Sequence, residues 1–428
     1  MKTKQPSLHF SHLITIVLSL LLGFSLLAGF KSATTHKTTG KTGTCSLLIV
    51  EYYTPRSIAV DAENNLYVVD TTNHRIRKIT REGRVSTLAG SDYARREGFA
   101  DGTGSTAQFS EPRGIVIDKT GNLYVVDTGN RNIRKITPEG VVTTFAGSST
   151  TNSDGWMERG YADGQGNAAR FGILYDIAID AADNLYVVDS TFESSESRIR
   201  KVTPKGVVST LVENSDNTTA EKCGLGISIA IDKAGNLYTA NPWCNCIYKI
   251  TAKGIVTTFA GSNAGSSTTE RTRGYVDGQG NAARFDEPRS IAIDKTGNLY
   301  VADGMNRRIR KVTPEGVVST FAGSGGTAYG EDLSAHGSRH FSVIVKPERV
   351  EVDGDRDTAR FENPYSIAID KEGNLYVVDG NNPHIRKVTP TGEVITLKSM
   401  LSSLHHHRHH TQTHAAFNHS EIKRTDHN

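Results

Sequence analysis

Between Ile58 and Leu397 the apolar residues fall in short runs, some alternating and some continuous, broken at regular intervals by turn residues. One stretch shows the unit: SIAID at 290–294, a KTGN break, LYVAD at 299–303, a GMNR break, RIRKV at 308–312, TPEG, and VVSTFAG at 317–323. Runs this short and this rich in Val, Ile and Tyr predict strands and not helices. Gly297-Asn298 and Pro314-Glu315-Gly316 are tight-turn sequences, because Gly supplies a positive φ and Pro presets the first turn position. Each unit therefore reads as four antiparallel strands.

The unit occurs six times. Ile58, Ile115, Ile177, Ile229, Ile291 and Ile367 mark equivalent points, separated by steps of 57, 62, 52, 62 and 76 residues, so the unit is constant and one connection varies. A single four-stranded sheet cannot cover both of its faces, whereas six arranged radially cover one another. The expected fold is all-β, a six-bladed β-propeller of four-stranded antiparallel blades over 45–398, with blades starting near 55, 112, 174, 226, 288 and 364. Glu393 to Lys398 supplies the sixth blade's own outer strand. Cys45 to Tyr53 (CSLLIVEYY) is a further strand-like run, expected to pair at the seam of first and last blades, since open strand edges invite aggregation.

The wording GNLYVVD…N-x-R-I-R-K-I-T-P-E-G-V-V-T-T-F-A-G resembles the NHL repeat family over most of Pro55 to Leu397, in a form typical of exported bacterial proteins. The resemblance implies a propeller used chiefly to bind proteins, nucleic acids or other ligands, with a minority of relatives on similar propellers acting as enzymes. Fold alone chooses none of these.

The ends of the chain differ in kind. Lys2, Lys4 and His9 precede the apolar stretch Leu13–Phe30, which reads as a signal peptide or an uncleaved membrane anchor within 1–33, followed by a polar linker at 34–44. Residues 399–428 form a His-rich tail without apolar period, expected to be disordered. Charge is nearly balanced, 49 Lys+Arg against 46 Asp+Glu, which gives no argument for nucleic acid. Cys45, Cys223, Cys244 and Cys246 lack the paired C-x-x-C spacing of a structural zinc site.

Whatever recurs in every copy builds copies, so a specific task belongs to the departures. Asp61, Asp118, Asp180, Asp232, Asp294 and Asp370 recur, as do Asp70, Asp127, Asp189, Asp303 and Asp379; both sets are expected to cap turns. The R-I-R-K runs are expected to form inter-blade salt bridges and solvated edges. Four connections carry an Asp-Gly insert followed by Ala and Phe, as in Asp101, Ala107 and Phe109, in which the Phe is expected to plug between blades.

The departures lie on one face, where the inter-blade connection and the loop between second and third strands emerge. The residue before each inner strand is Arg56, Arg113, Tyr175, Ile227, Arg289 and Tyr365 in blade order, and the next position holds the single acidic residue Asp176. Three arginines and two tyrosines converging on one mouth suit an anionic or carbohydrate ligand, since guanidinium groups offer paired donors. Blade four replaces D-x-x-N-x-R with Asn241-Pro242-Trp243-Cys244-Asn245-Cys246, and a disulfide from Cys223 to Cys244 or Cys246 would tie down a loop presenting Trp243. Trp156, Phe192 to Ser197 and the segment Gly325 to Glu351 enlarge the same face.

These features predict a non-enzymatic extracytoplasmic binding module, monomeric, recognising a protein, glycan or anionic ligand, with no cofactor and membrane contact only through the N-terminal segment. The alternative is a propeller hydrolase or lyase resembling gluconolactonase or strictosidine synthase-like enzymes. Metal-dependent relatives of that kind need several ligands converging in the channel, and here the mouth offers Ser, Gly and Asp176.

Overall fold

The computed structural model describes residues 55–91, 96–148, 150, 160–190, 197–213, 223–262, 273–325, 351–380 and 384–397. The expectations for the N-terminal segment, Cys45 to Tyr53, Trp156, Phe192, the interior of 325–351 and the tail lie outside them. The described residues form six antiparallel sheets, one per repeat, in which strand order follows the chain from an inner to an outer strand. The chain is an all-β six-bladed propeller. Inner strands begin at Pro55, Pro112, Ile173, Ser228, Pro288 and Pro364.

Burial follows depth within a blade. The second strand, such as Leu299–Asp303, is buried at every position because neighbouring blades cover both of its faces. The outer strand Val141–Ala146 begins by alternating exposed and buried, because one of its faces meets water. Continuous apolar runs and alternating runs thus belong to different radii of one design. Six buried clusters fill the six blade interfaces, including one that joins Ile58, Leu66 and Val68 of blade one to Ala368, Tyr376 and Val378 of blade six. Among the described residues the ring closes through this face contact, without exchange of a strand between first and last blades.

The Asp-Gly inserts have a definite path. Gly102–Thr103, Gly164–Gln165 and Gly278–Gln279 each add a two-residue fifth strand to the outer edge of the blade that follows. A 3₁₀ turn comes next, opened by Gly104, Gly166 or Gly280 at φ between 51° and 57°, a left-handed conformation that favours glycine. The chain then turns inward, and Phe109, Phe171, Phe285 and Phe361 are fully buried between blades.

The recurrent aspartates divide into two kinds. Asp61 and its equivalents cap turns as expected: Asp61 accepts the backbone N–H groups of Glu63 and Asn65, the Asn65 amide and the Tyr67 hydroxyl. The second set accepts backbone N–H groups too, as Asp127 does from Ser110 at 2.7 Å, but does more than the expectation. Asp127, Asp189, Asp303 and Asp379 are wholly buried, each ion-paired to the second arginine of its own R-I-R-K run or its equivalent, Arg134, Arg200, Arg310 and Arg386. Those arginines are also fully buried, not solvated edges. Each reaches the insert aspartate with its other Nη (Arg310 to Asp277, 2.6 Å) and lies over the plugging phenylalanine (5.3 Å to the Phe285 centroid). The pairing is internal to a blade and its incoming connection, because the insert is laid along that blade's edge.

Candidate ligand-binding site

The inner strands bring their first residues to one end of the central channel, where they line a cavity of about 220 Å³. Arg56, Arg113, Tyr175, Asp176, Trp243, Arg289 and Tyr365 all face this one space. Its remaining lining is Ile227, Gly114 and the serines Ser57, Ser228, Ser290 and Ser366.

Two aromatic rings organise the arginines. Arg56 and Arg289 share the ring of Tyr365, with their guanidinium carbons 5.1 and 5.0 Å from its centroid, and Arg56 also donates to the Tyr365 hydroxyl. Across the mouth Arg113 sits 5.3 Å from the centroid of Tyr175, and Trp243 meets the same ring edge-on at 6.4 Å. Stacking of this kind fixes flexible side chains while leaving their N–H groups directed outward. Arg289 is held by Glu287 at 2.6 Å, and Arg113 is 3.8 Å from the exposed Glu111. Arg56 has no carboxylate partner among the described residues. The lining thus carries three guanidinium groups against one carboxylate.

That carboxylate belongs to a belt one residue deeper. Ser228 Oγ accepts the N–H of Ile291, and Ser290 Oγ that of Ile367, so each serine ties its inner strand to the next blade. Asp176 does the same for blade three, accepting the Ile229 N–H at 3.1 Å. Burial pushes its carboxyl up to about 6, against the N–H groups of Ile177 and Ile229 and the Ser228 hydroxyl. Asp176 and Gly114 are coupled departures. A Cβ on Gly114 would lie 2.8 Å from both Asp176 Cα and Asp176 Oδ1. Gly114→Ala is therefore expected to cost about 1–3 kcal/mol in denaturation, as overpacking does. Asp176→Ser should not rescue it, because the Cα is an obstacle too; full recovery in the double variant would assign the clash to the carboxylate alone.

Blade four departs more deeply than its loop sequence reveals. Aligned on the inner strands, Cys223 stands where the other connections place the Phe plug, Asn241 where they place the buried Asp, and Tyr248 where they place the buried Arg. Cys244 stands at the asparagine that elsewhere donates to that Asp, as Asn130 does to Asp127 at 2.8 Å. A disulfide joins Cys223 to Cys244, with Cα atoms 6.0 Å apart, within the cluster between blades three and four. Cys246, the other candidate partner, is a buried free thiol on the third strand, in register with Asn241 and Gly261. Asn241 donates to the carbonyls of Cys223 and Gly224 and accepts the N–H groups of Trp243 and Cys244. Trp243 is left 43 % exposed at the cavity wall. Sequence reading marked Asn241 as a departure without its role and missed Tyr248; the six-copy register was the signal that could have found both.

The two described histidines lie outside the lining: His74 Nδ1 accepts the Glu111 N–H, and His384 Nδ1 pairs with Glu351. Among the described residues no group of three or more His, Cys, Asp or Glu is placed to hold a metal ion.

Family models match the chain twice: a Teneurin NHL domain over residues 97–157 and 272–346, and an NHL repeat over 52–79. NHL repeat-containing protein 2 of Gallus gallus is 28% identical over 378 residues, covering 81% of this chain and 48% of that protein. Teneurin-3 of Mus musculus is 26% identical over 375 residues, covering 78% of this chain and 13% of that protein. The chain thus spans half or less of the length of these curated relatives. Among solved structures, a Bacteroides thetaiotaomicron protein of unknown function has a TM-score of 0.55 at 20% identity, covering 80% of this chain and 70% of that one. An auxiliary nutrient binding protein of the same organism has a TM-score of 0.52 at 18% identity, covering 80% of this chain and 69% of that one, a likeness of fold. Six copies of the motif, these matches and six radial blades agree: the chain is similar to NHL repeat proteins and folds as a six-bladed β-propeller.

Proposed function

We propose that this chain is an extracytoplasmic, non-enzymatic binding module that captures an anionic ligand or acidic partner in the arginine-lined mouth of its propeller. The observation that carries the reading is the convergence of Arg56, Arg113 and Arg289, each stacked on a tyrosine, around one cavity with a single carboxylate. Guanidinium groups in a recessed site give stronger charge-assisted hydrogen bonds than the same groups in open water. Among the described residues the cavity lining contains no histidine or cysteine, and its carboxylate, Asp176, is engaged in tying blade three to blade four, which favours retention of a ligand over its conversion. The Cys223–Cys244 disulfide and the apolar Leu13–Phe30 stretch support placement outside the cytoplasm, since disulfides persist in oxidising compartments.

The test is binding of small anions and acidic peptides by calorimetry. Replacing Arg56, Arg113 and Arg289 together by Ala should weaken binding at least about a hundredfold, near 3 kcal/mol, without unfolding the ring. Unchanged binding would reject the mouth as the site. Asp176 gives a second readout. Its carboxyl is raised to about 6, so as pH falls from 7.5 to 5 it gains a proton and its negative charge disappears while the arginines stay charged. Anion affinity should rise over that interval, and Asp176→Asn should flatten the profile at the higher affinity.

A further inference from the structure

The mouth is unlike on its two sides. Blades five, six and one contribute Arg289, Tyr365 and Arg56, two cations sharing one phenol ring. Blades three and four contribute Tyr175 and Trp243, joined edge to face, with the indole partly exposed toward the cavity. Between them the floor carries hydroxyl groups and one carboxylate, Asp176. A ligand that satisfies all three regions has an anionic group at one end, an apolar face at the other and hydroxyls between.

Resting on the anion-binding reading above, we propose that the cavity takes a carboxylated sugar, a uronic acid unit of an acidic glycan, with its carboxylate at Arg56 and Arg289 and a C–H face of its ring against Trp243. Size agrees. A volume of about 220 Å³ is below the about 300–1,000 Å³ of sites for drug-sized ligands and suits one ring. Charge geometry agrees as well. A planar carboxylate matches the two-pronged donor edge of a guanidinium. Asp176 opposes any anion, as the expected pH dependence requires, and favours one that carries sugar hydroxyls, from which it accepts hydrogen bonds. Ser290 Oγ accepts the Ile367 N–H, and its own hydroxyl proton remains to be donated. An aromatic acid would use Trp243 and the arginines but leave the hydroxylated floor unpaired.

The test titrates the full chain with glucuronate, glucose, benzoate and inorganic phosphate at pH 7, read by calorimetry and by tryptophan fluorescence, the other tryptophan being Trp156. Glucuronate should bind at least tenfold more tightly than each of the other three. Arg56→Gln/Arg289→Gln should lose at least tenfold for glucuronate and leave glucose unchanged, while Trp243→Leu should weaken glucuronate and not phosphate. Equal affinity for glucuronate and phosphate, or tighter binding of benzoate or of an acidic peptide, overturns the sugar assignment and leaves the anion site standing. Binding of no anion at all overturns both. The ligand comparison on the unmodified chain decides the matter even if a variant fails to fold.

Discussion

Arg310→Met is expected to lower the stability of the ring by about 3–5 kcal/mol, the usual consequence of removing one partner of a buried ion pair. The guanidinium of Arg310 is fully buried and donates to Asp303 at 2.9 Å, Asp277 at 2.6 Å and the carbonyls of Arg284 and Val276. Methionine fills much of the volume over Phe285 but pairs with none of these acceptors. Asp277 is about half exposed and can be solvated by water; Asp303 is wholly buried and cannot. Burial already pushes the Asp303 carboxyl up to about 6, with Arg310 opposing it, so loss of the arginine drives it higher. A carboxyl raised in the folded state is most at ease protonated. The variant's deficit should therefore be small near pH 4 and grow as pH rises through 6. Denaturation midpoints at pH 5 and pH 8 check this, and a deficit independent of pH would show that Asp303 is not the stranded charge. Blade four supplies the control, since Asn241 and Tyr248 occupy the same two positions without charge. Asp303→Asn/Arg310→Tyr should lose less than Arg310→Met alone.

The arginine clamp also shows where sequence reading reached its limit. The four-stranded repeat, its turns and the face that bears the departures were legible, because each depends on neighbours within a few residues: Gly297 and Asn298 make a turn whatever surrounds them. Arg310 was not. Its partner Asp277 lies 33 residues upstream, and an R-I-R-K run next to many carboxylates reads as a solvated stripe until the insert is seen along the blade edge. The convergence of Arg56, Arg113 and Arg289 on one cavity was legible, since radial symmetry carries equivalent positions to one axis. That two of them share Tyr365, and that Gly114 leaves room for Asp176, was not, because both depend on how closely neighbouring inner strands approach.

Blade four, which among the described residues has neither the charged clamp nor the added edge strand, should depend instead on its disulfide. Cys223 and Cys244 are separated by 21 residues, a loop whose closure is worth about 3 kcal/mol in the chain-entropy account. Cys223→Ala/Cys244→Ala is expected to lose about that much, and reduction of the unmodified protein should lose the same. The loss should also reach the mouth. Cys244 is the residue after Trp243, and freeing it leaves the Trp243 backbone held by its N–H bond to Asn241 Oδ1 and the indole by its edge contact with Tyr175. Tryptophan emission should shift to the red on reduction, and ligand affinity should fall with it. Cys246 offers no substitute partner. Burial pushes its thiol up to about 12, so at neutral pH almost none is the thiolate that disulfide exchange requires. In Cys244→Ala incubated with oxidised glutathione, mass spectrometry should find Cys246 unmodified and no bridge from it to Cys223. Formation of that bridge would show that the third strand of blade four opens readily once the native disulfide is lost.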